Sequence, residues 1–189
     1  HATKLPPGEQ FVYNNGAYVV LALVAERASG VPFHQLVHER VTEPAGMVDT
    51  EFLRSDELPG GAAVGYLQAD GLRTNVLHLP VRGTGDGGAY TTAGDMRRFW
   101  VSFLAGRIVS ESWVQEMTRP RTDVPDAGRR YGLGFWLHPT TDSVILLGYD
   151  AGVSFSSLHN PLEDVTATVI SNGADGAWPV GRFFQQRFG

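Results

Sequence analysis

An α+β fold, with helices flanking an antiparallel sheet, is what this sequence predicts. Three features carry that reading. Apolar residues recur at helical spacing up to Thr118; after Arg130 they come in short runs of β-branched and aromatic residues divided by Gly, Pro, Asn and Asp; the last stretch, Ala177 to Arg187, returns to helical spacing. Helices first, strands second and a closing helix place helical layers against a sheet.

Leu5-Pro6-Pro7-Gly8-Glu9-Gln10-Phe11 reads as a turn leading into a short extended piece. A helix is expected from Asn15, a good N-cap, to Ser29, with Tyr18, Leu21, Ala22, Ala25 and Ala28 as its apolar face and Gly30 as its stop. Pro32 suits the first turn of a second helix reaching Thr42, closed by Pro44-Ala45-Gly46-Met47. Between residues 50 and 82 the pattern predicts one short strand, Ala63 to Gln68, in loop. Thr92-Ala93-Gly94-Asp95 resembles a capping box, with Asp for Glu, opening a helix through Met96, Phe99, Trp100 and Phe103 to Gly106. Ser110 is expected to cap another helix to Thr118. Strands are expected over Tyr131–Leu137, Val144–Leu147, Val153–Leu158 and Val165–Ser171, as a meander. The final helix carries Val180, Phe183 and Phe184 on one side, and Phe183 and Phe184 are expected in the core with Trp100 and Phe103. The chain is read as one domain over 1–189, mainly helical over 1–130, with strands and the last helix over 131–189.

Composition excludes several chemistries. The chain has 189 residues, 42% hydrophobic and 19% charged, enough for one domain with a core. A net charge of −5 argues against nucleic acid as a partner. With no cysteine, a thiol nucleophile, a disulfide and Cys-ligated zinc are excluded. The longest apolar run, Tyr18 to Ala25, is too short to cross a bilayer. No secretory leader is visible, and no compartment is assigned. Of 15 Lys plus Arg residues, one is lysine, Lys4, and the other 14 are arginine.

One segment points to chemistry. Tyr13 and Asn15 stand two apart in a piece read as extended, just before a helix, so a phenol and an amide are expected to project together. A phenol has an ordinary pKa near 10, and a neighbouring cation lowers it toward a general base for a serine hydroxyl. On spacing alone, a core tyrosine beside a helix cap is the commoner meaning of Tyr-x-Asn.

The surrounding residues change that weight. Pro7-Gly8-Glu9 leading to Tyr13-Asn14-Asn15-Gly16, the helix ending in Ser29-Gly30, Glu43-Pro44-Ala45-Gly46-Met47-Val48-Asp49-Thr50, Gly87-Gly88-Ala89-Tyr90-Thr91-Thr92-Ala93-Gly94-Asp95, Tyr131-Gly132-Leu133-Gly134-Phe135 and Ser171-Asn172-Gly173 occur in an informative order. Together they resemble the serine β-lactamase and penicillin-binding-protein superfamily, nearest its class C β-lactamases, D-alanyl-D-alanine carboxypeptidases and esterases. The resemblance implies a β-lactamase/transpeptidase-like fold. It implies Tyr13 as catalytic tyrosine, Asn15 as its amide partner, and a backbone oxyanion donor at Gly152. The third motif of that superfamily, Lys-Thr-Gly or His-x-Gly, falls here on Tyr149-Asp150-Ala151, a substrate-binding position where tyrosine replaces the cation or imidazole and alanine the glycine.

The first motif, Ser-x-x-Lys, cannot be drawn in this sequence, because three residues before Lys4 stands His1. The expectation is therefore a C-terminal portion of a serine hydrolase acting on amide or ester bonds (β-lactam, D-amino-acid peptide or ester) through an acyl-enzyme. Its nucleophile is expected from an N-terminal segment of the same protein or a second chain, and a homo-oligomer is a further expectation. The alternative is a non-catalytic domain that binds peptidoglycan-like ligands.

Other motifs are weaker. Gly83-Thr84-Gly85-Asp86-Gly87-Gly88 matches Gly-x-Gly-x-x-Gly, but no βαβ unit surrounds it, which argues against a nucleotide. His34 and His38 are four apart without an evident third ligand, so no metal or other cofactor is assigned. There is no Gly-x-Ser-x-Gly elbow of the α/β-hydrolase kind.

Overall fold

The computed structural model describes residues 5, 6 and 8–189; Lys4 and Pro7 lie outside them. Helix α1 spans Asn15–Ser29, and its cap is Asn14, extended at φ −149°, rather than Asn15, which is already helical. Gly30 ends it at φ 72°, its N–H donating to Glu26 O at 2.8 Å. The expected apolar face is largely uncovered. Ala22 is the one buried residue of α1, whereas Leu21 is 58% exposed, with Val20, Leu23 and Val24 similarly open. The reason lies in what reaches the helix. Gly85 of the glycine-rich loop comes against Tyr18 O and Ala22 Cβ so closely that a side chain there would overlap both.

The expected helix from Pro32 to Thr42 breaks into α2 (Phe33–Val37), a π-helical turn (His38–Thr42) and α3 (Glu43–Ala45). Pro44 has no N–H to give the preceding turn, and the helix widens ahead of it, Glu43 N–H donating to His38 O. Ala63–Gln68 forms no strand. Tyr66 N–H donates to Asn172 O and Leu67 N–H to Arg73 O, so successive bonds go to different segments and no ladder propagates. Helix α4 (Ala93–Leu104) is capped as expected, Thr92 Oγ1 accepting the Asp95 N–H at 3.1 Å, and α5 spans Glu111–Thr118.

Six strands follow in order of sequence, each antiparallel to the next: β1 (Thr122–Val124), β2 (Arg129–Tyr131), β3 (Trp136–Leu137), β4 (Val144–Asp150), β5 (Val153–Asn160) and β6 (Val165–Ser171). The expected single strand Tyr131–Leu137 is two strands. Gly132 N–H donates to Phe135 O, and Gly134 at φ 86° supplies the reversal between them. β1 was not legible as a strand.

The period of two sorts β5 onto two layers. Its odd positions face α4: Phe155 packs against the Met47–Met96 cluster, Ser157 Oγ accepts from Trp100 Nε1 at 2.8 Å, and His159 stacks on the Trp100 ring at 5.8 Å. Its even positions face α6 (Ala177–Phe188): Ser154 Oγ accepts from Ala177 N–H, Ser156 lies against Gly181, and Asn160 donates to Phe188 O. Trp100, Phe103, Phe135, Leu137 and Val144 form the main core under α4. Phe183, expected inside, is 59% exposed. The face of α6 that the serine-lined sheet admits is the small one, Ala177 and Gly181. The result is an α+β architecture, a six-stranded antiparallel sheet between helices. Among the described residues, no single helix is long and apolar enough to cross a membrane.

Candidate active site

Tyr13 lies on the segment entering α1, and its ring stacks on Trp136 of β3 at 5.9 Å between centroids and 19° between planes. Trp136 packs edge-on against Tyr131 of β2, and Tyr131 Oη meets Tyr18 Oη at 2.5 Å. These side chains, with Asp86, Leu146 and Leu147, line a cleft of about 180 Å³. The phenol of Tyr13 remains 52% exposed at this cleft. Its pKa is raised, first by partial burial, then by Tyr18 and by the carboxylate of Asp86. The expected cation does not contribute among the described residues, so Tyr13 in these residues alone is a neutral phenol. Tyr131 is pushed up much further, by burial and then by its bond to Tyr18. That fits a structural phenol better than a base.

Asn15 is exposed, and its side chain makes no hydrogen bond among the described residues. Because Asn15 is the first helical residue, it does not share one extended run with Tyr13. Among the described residues no hydrogen bond joins the two.

The second predicted group sits at the end of β4. Tyr149 is 69% exposed, with its ring 6.4 Å from Trp178 of α6. Asp150 pairs with Val153 across a two-residue turn, Ala151-Gly152. Gly152, at φ 71°, holds the second central position, where a positive φ favours glycine. The two turn amides differ. Ala151 N–H donates to Asp150 Oδ1 at 2.7 Å, whereas the buried Gly152 N–H donates to no partner among the described residues. Asp150 thus occupies one turn amide, and the other has no partner among the described residues.

Tyr13 and the Tyr149–Gly152 turn touch β4 at different points, Tyr13 across the cleft from Leu146 and Leu147 and the turn at the strand's end. Among the described residues, no hydrogen bond or ring contact joins them. The sequence did not single out Trp136, Tyr18 or Asp86 as cleft residues, since local spacing does not show that the segments around Tyr13, Asp86 and Trp136 meet. The Gly-x-Gly-x-x-Gly run forms a tight turn, Thr84 pairing with Gly87, and brings Asp86 to the cleft. His34 Nε2 is bonded to Gly83 O and His38 Nδ1 to Thr42 Oγ1; the described residues contain no group of side chains arranged to hold a metal ion.

Comparison with known proteins agrees with this architecture. The chain is 33% identical over 147 residues to the D-alanyl-D-alanine-carboxypeptidase/endopeptidase AmpH of Escherichia coli, covering 71% of this chain and 37% of AmpH. It therefore spans well under half the length of that relative. The crystal structure of a penicillin binding protein from Bacillus halodurans superposes with a TM-score of 0.91 at 35% identity, covering 98% of this chain and 59% of that one. The octameric penicillin-binding protein homologue from Pyrococcus abyssi follows with a TM-score of 0.77 at 25% identity, over 90% of this chain and 40% of its own. The family model described as Beta-lactamase matches residues 1–184, nearly the full length, and with the sheet, the capping helices and the Tyr13 cleft in place, the chain belongs to the beta-lactamase family.

Proposed function

We propose that this chain is the portion of a serine hydrolase that supplies the proton-transfer tyrosine and the oxyanion donor for cleavage of amide or ester bonds through an acyl-enzyme. The bonds in question are those of β-lactams, D-amino-acid peptides or esters; a D-alanyl-D-alanine carboxypeptidase among the relatives favours the peptide. The nucleophile belongs to a Ser-x-x-Lys segment that this sequence does not contain.

In this reading the serine oxygen attacks the carbonyl carbon as its proton passes to Tyr13 Oη. The carbonyl oxygen becomes an oxyanion and accepts from Gly152 N–H. Collapse breaks the bond to the leaving amine or alcohol, which takes the proton from Tyr13. Water then repeats the sequence on the acyl ester and frees the serine. A neutral Tyr13 cannot start this cycle. An ammonium arriving with the Ser-x-x-Lys segment offsets Asp86 and the burial of the phenol and brings its pKa down. Asn15 holds that ammonium or the substrate carbonyl, and Tyr149, Asp150 and Ala151 border the substrate.

The observation that carries this reading is the Ala151-Gly152 turn, in which Asp150 satisfies one amide and leaves the Gly152 amide open. The test is to express the chain joined to its contiguous upstream sequence and follow acylation by a chromogenic ester and a β-lactam by intact mass. A covalent adduct is expected, with Tyr13→Phe lowering kcat/KM about 10²–10⁴-fold. Undiminished turnover in Tyr13→Phe overturns the tyrosine's role. A folded protein that binds these compounds without any adduct is instead the ligand-binding domain that the altered Tyr149-Asp150-Ala151 motif raises.

A further inference from the structure

We infer that Asn75 is a positioning residue for the oxyanion donor, acting through the Ala151-Gly152 turn. The inference rests on the reading of Gly152 given above. Asn75 sits in the loop between α3 and α4, far from the turn in sequence, and is 3% exposed. Both ends of its amide are used. Nδ2 donates to Ala151 O at 2.9 Å, and Oδ1 accepts from Gly65 N–H at 3.1 Å. The backbone adds a third bond, Asn75 N–H donating to Gly65 O at 2.9 Å. The amide orientation is fixed by its partners, since a carbonyl oxygen can only accept and an N–H can only donate.

The packing around this clasp leaves room for nothing else. A Cβ at Gly65 would overlap the Asn75 side chain and lie 2.5 Å from Gly152 O. A Cβ at Gly152 would lie 3.0 Å from the backbone N, C and O of Tyr66. Residues 65 and 66 are themselves tied to the end of β6, through Tyr66 N–H to Asn172 O. The turn is therefore held from outside the sheet, and Asn75 is the side chain that joins the loop to it. In a two-residue hairpin turn the central peptide, here Ala151–Gly152, is the one that the strand ladder does not hold. Asn75 holds it by fixing the Ala151 carbonyl, and the Ala151 carbonyl belongs to the same peptide unit as the Gly152 N–H. Because the peptide is planar, holding its C=O fixes the direction of its N–H. A donor that must meet a developing oxyanion at hydrogen-bond distance gains from such preorganisation.

The test uses the protein joined to its contiguous upstream sequence, with Asn75→Ala and Asn75→Asp. Asp keeps the acceptor for Gly65 N–H and loses the donor to Ala151 O. An ester and its thionoester are compared, because sulfur accepts poorly from an oxyanion donor. In Asn75→Ala, kcat on the ester is expected to fall about 10–100-fold with KM nearly unchanged, and the preference for ester over thionoester to shrink about tenfold. Asn75→Asp removes the same donor and sets an acceptor against the Ala151 carbonyl, so it should lose at least as much as Ala. Equal losses on both substrates, or no loss, overturn the inference. Amide hydrogen exchange on the 189-residue chain supplies the second arm: Asn75→Ala should speed exchange at Ala151, whose N–H is bonded to Asp150 Oδ1 within the turn, while the β4–β5 ladder stays protected. Unchanged exchange at Ala151 overturns the inference by itself. If the parent protein shows no ester turnover, the hydrolase reading fails, and the exchange arm still decides whether Asn75 holds the turn.

Discussion

Replacing Asp95 by alanine should be among the most damaging single changes in this chain. The carboxylate is fully buried at the first turn of α4. It accepts from Asp49 N–H at 2.8 Å, from the Thr50 hydroxyl at 2.7 Å and from Arg98 at 2.6 Å. Hydrogen bonds to a charged acceptor contribute about 1.5–3 kcal/mol each. The Asp49 and Thr50 bonds therefore come to about 3–6 kcal/mol. Arg98 adds little, because its side chain is 49% exposed and solvent screens the pair. Alanine also removes a buried charge, which returns part of the loss, leaving a net cost of about 2–5 kcal/mol. Asp95→Asn keeps the volume but turns an N–H₂ toward a donor, and should cost about 2–3 kcal/mol. Urea unfolding followed by tryptophan fluorescence measures both, the midpoint falling by about 1–3 M at ordinary m values. A midpoint for Asp95→Ala within about 1 kcal/mol of the parent refutes the argument that this carboxylate ties the 49–50 loop to α4.

Two histidines, His159 buried and His138 half-buried, give the chain an acid limb. His159 and His138 have pKa values lowered below 6.5, in both cases chiefly by burial. The unfolded chain takes up their protons first, so the stability they contribute is complete above pH 6.5 and is lost as pH falls through the lower folded values, at up to about 1.4 kcal/mol per pH unit per histidine. Asp164 opposes the shift at His159, and His159→Gln should flatten the slope of stability against pH below 6.5; an unchanged slope rejects His159 as its source. Trp100→Phe removes the donor to Ser157 inside the core and should cost about 1–2 kcal/mol by thermal unfolding, more than its change in apolar area alone. Gly65→Ala forces a Cβ into Asn75 and the Gly152 carbonyl and should destabilise by about 1–3 kcal/mol, with faster hydrogen exchange at the turn as the local signature.

The elements that local chemistry controls were legible in the residues themselves. β5 and β6 carry β-branched and aromatic residues between turn signals, α1 ends at a glycine that alone takes φ 72° without strain, and Thr92 precedes Asp95 at cap spacing. Those features depend on residues a few positions apart, so the period and the turn chemistry suffice. The errors came where a distant partner decides. Tyr131–Leu137 has strand composition, yet it reverses at Gly134, and the Leu133 N–H inside that turn goes to the distant Met117 carbonyl. Phe183 has core composition, yet Ala177 and Gly181 take the sheet because only small side chains fit against Ser154 and Ser156.

The candidate site divides in the same way. Composition alone determined that no Ser-x-x-Lys fits in these residues, and the order of the motifs marked Tyr13, Asn15 and Gly152. Only the tertiary structure decided the state of those groups. It stacks Tyr13 on Trp136 beside Asp86 and raises its pKa, where spacing had led to the expectation of a cation lowering it. It gives the Ala151 amide to Asp150 and leaves that of Gly152 open, and it brings Asn75 to the turn from a loop without readable periodicity. A sequence fixes which groups are present and how near neighbours alternate; the field and the free hydrogen bonds at each group depend on what the chain folds against it.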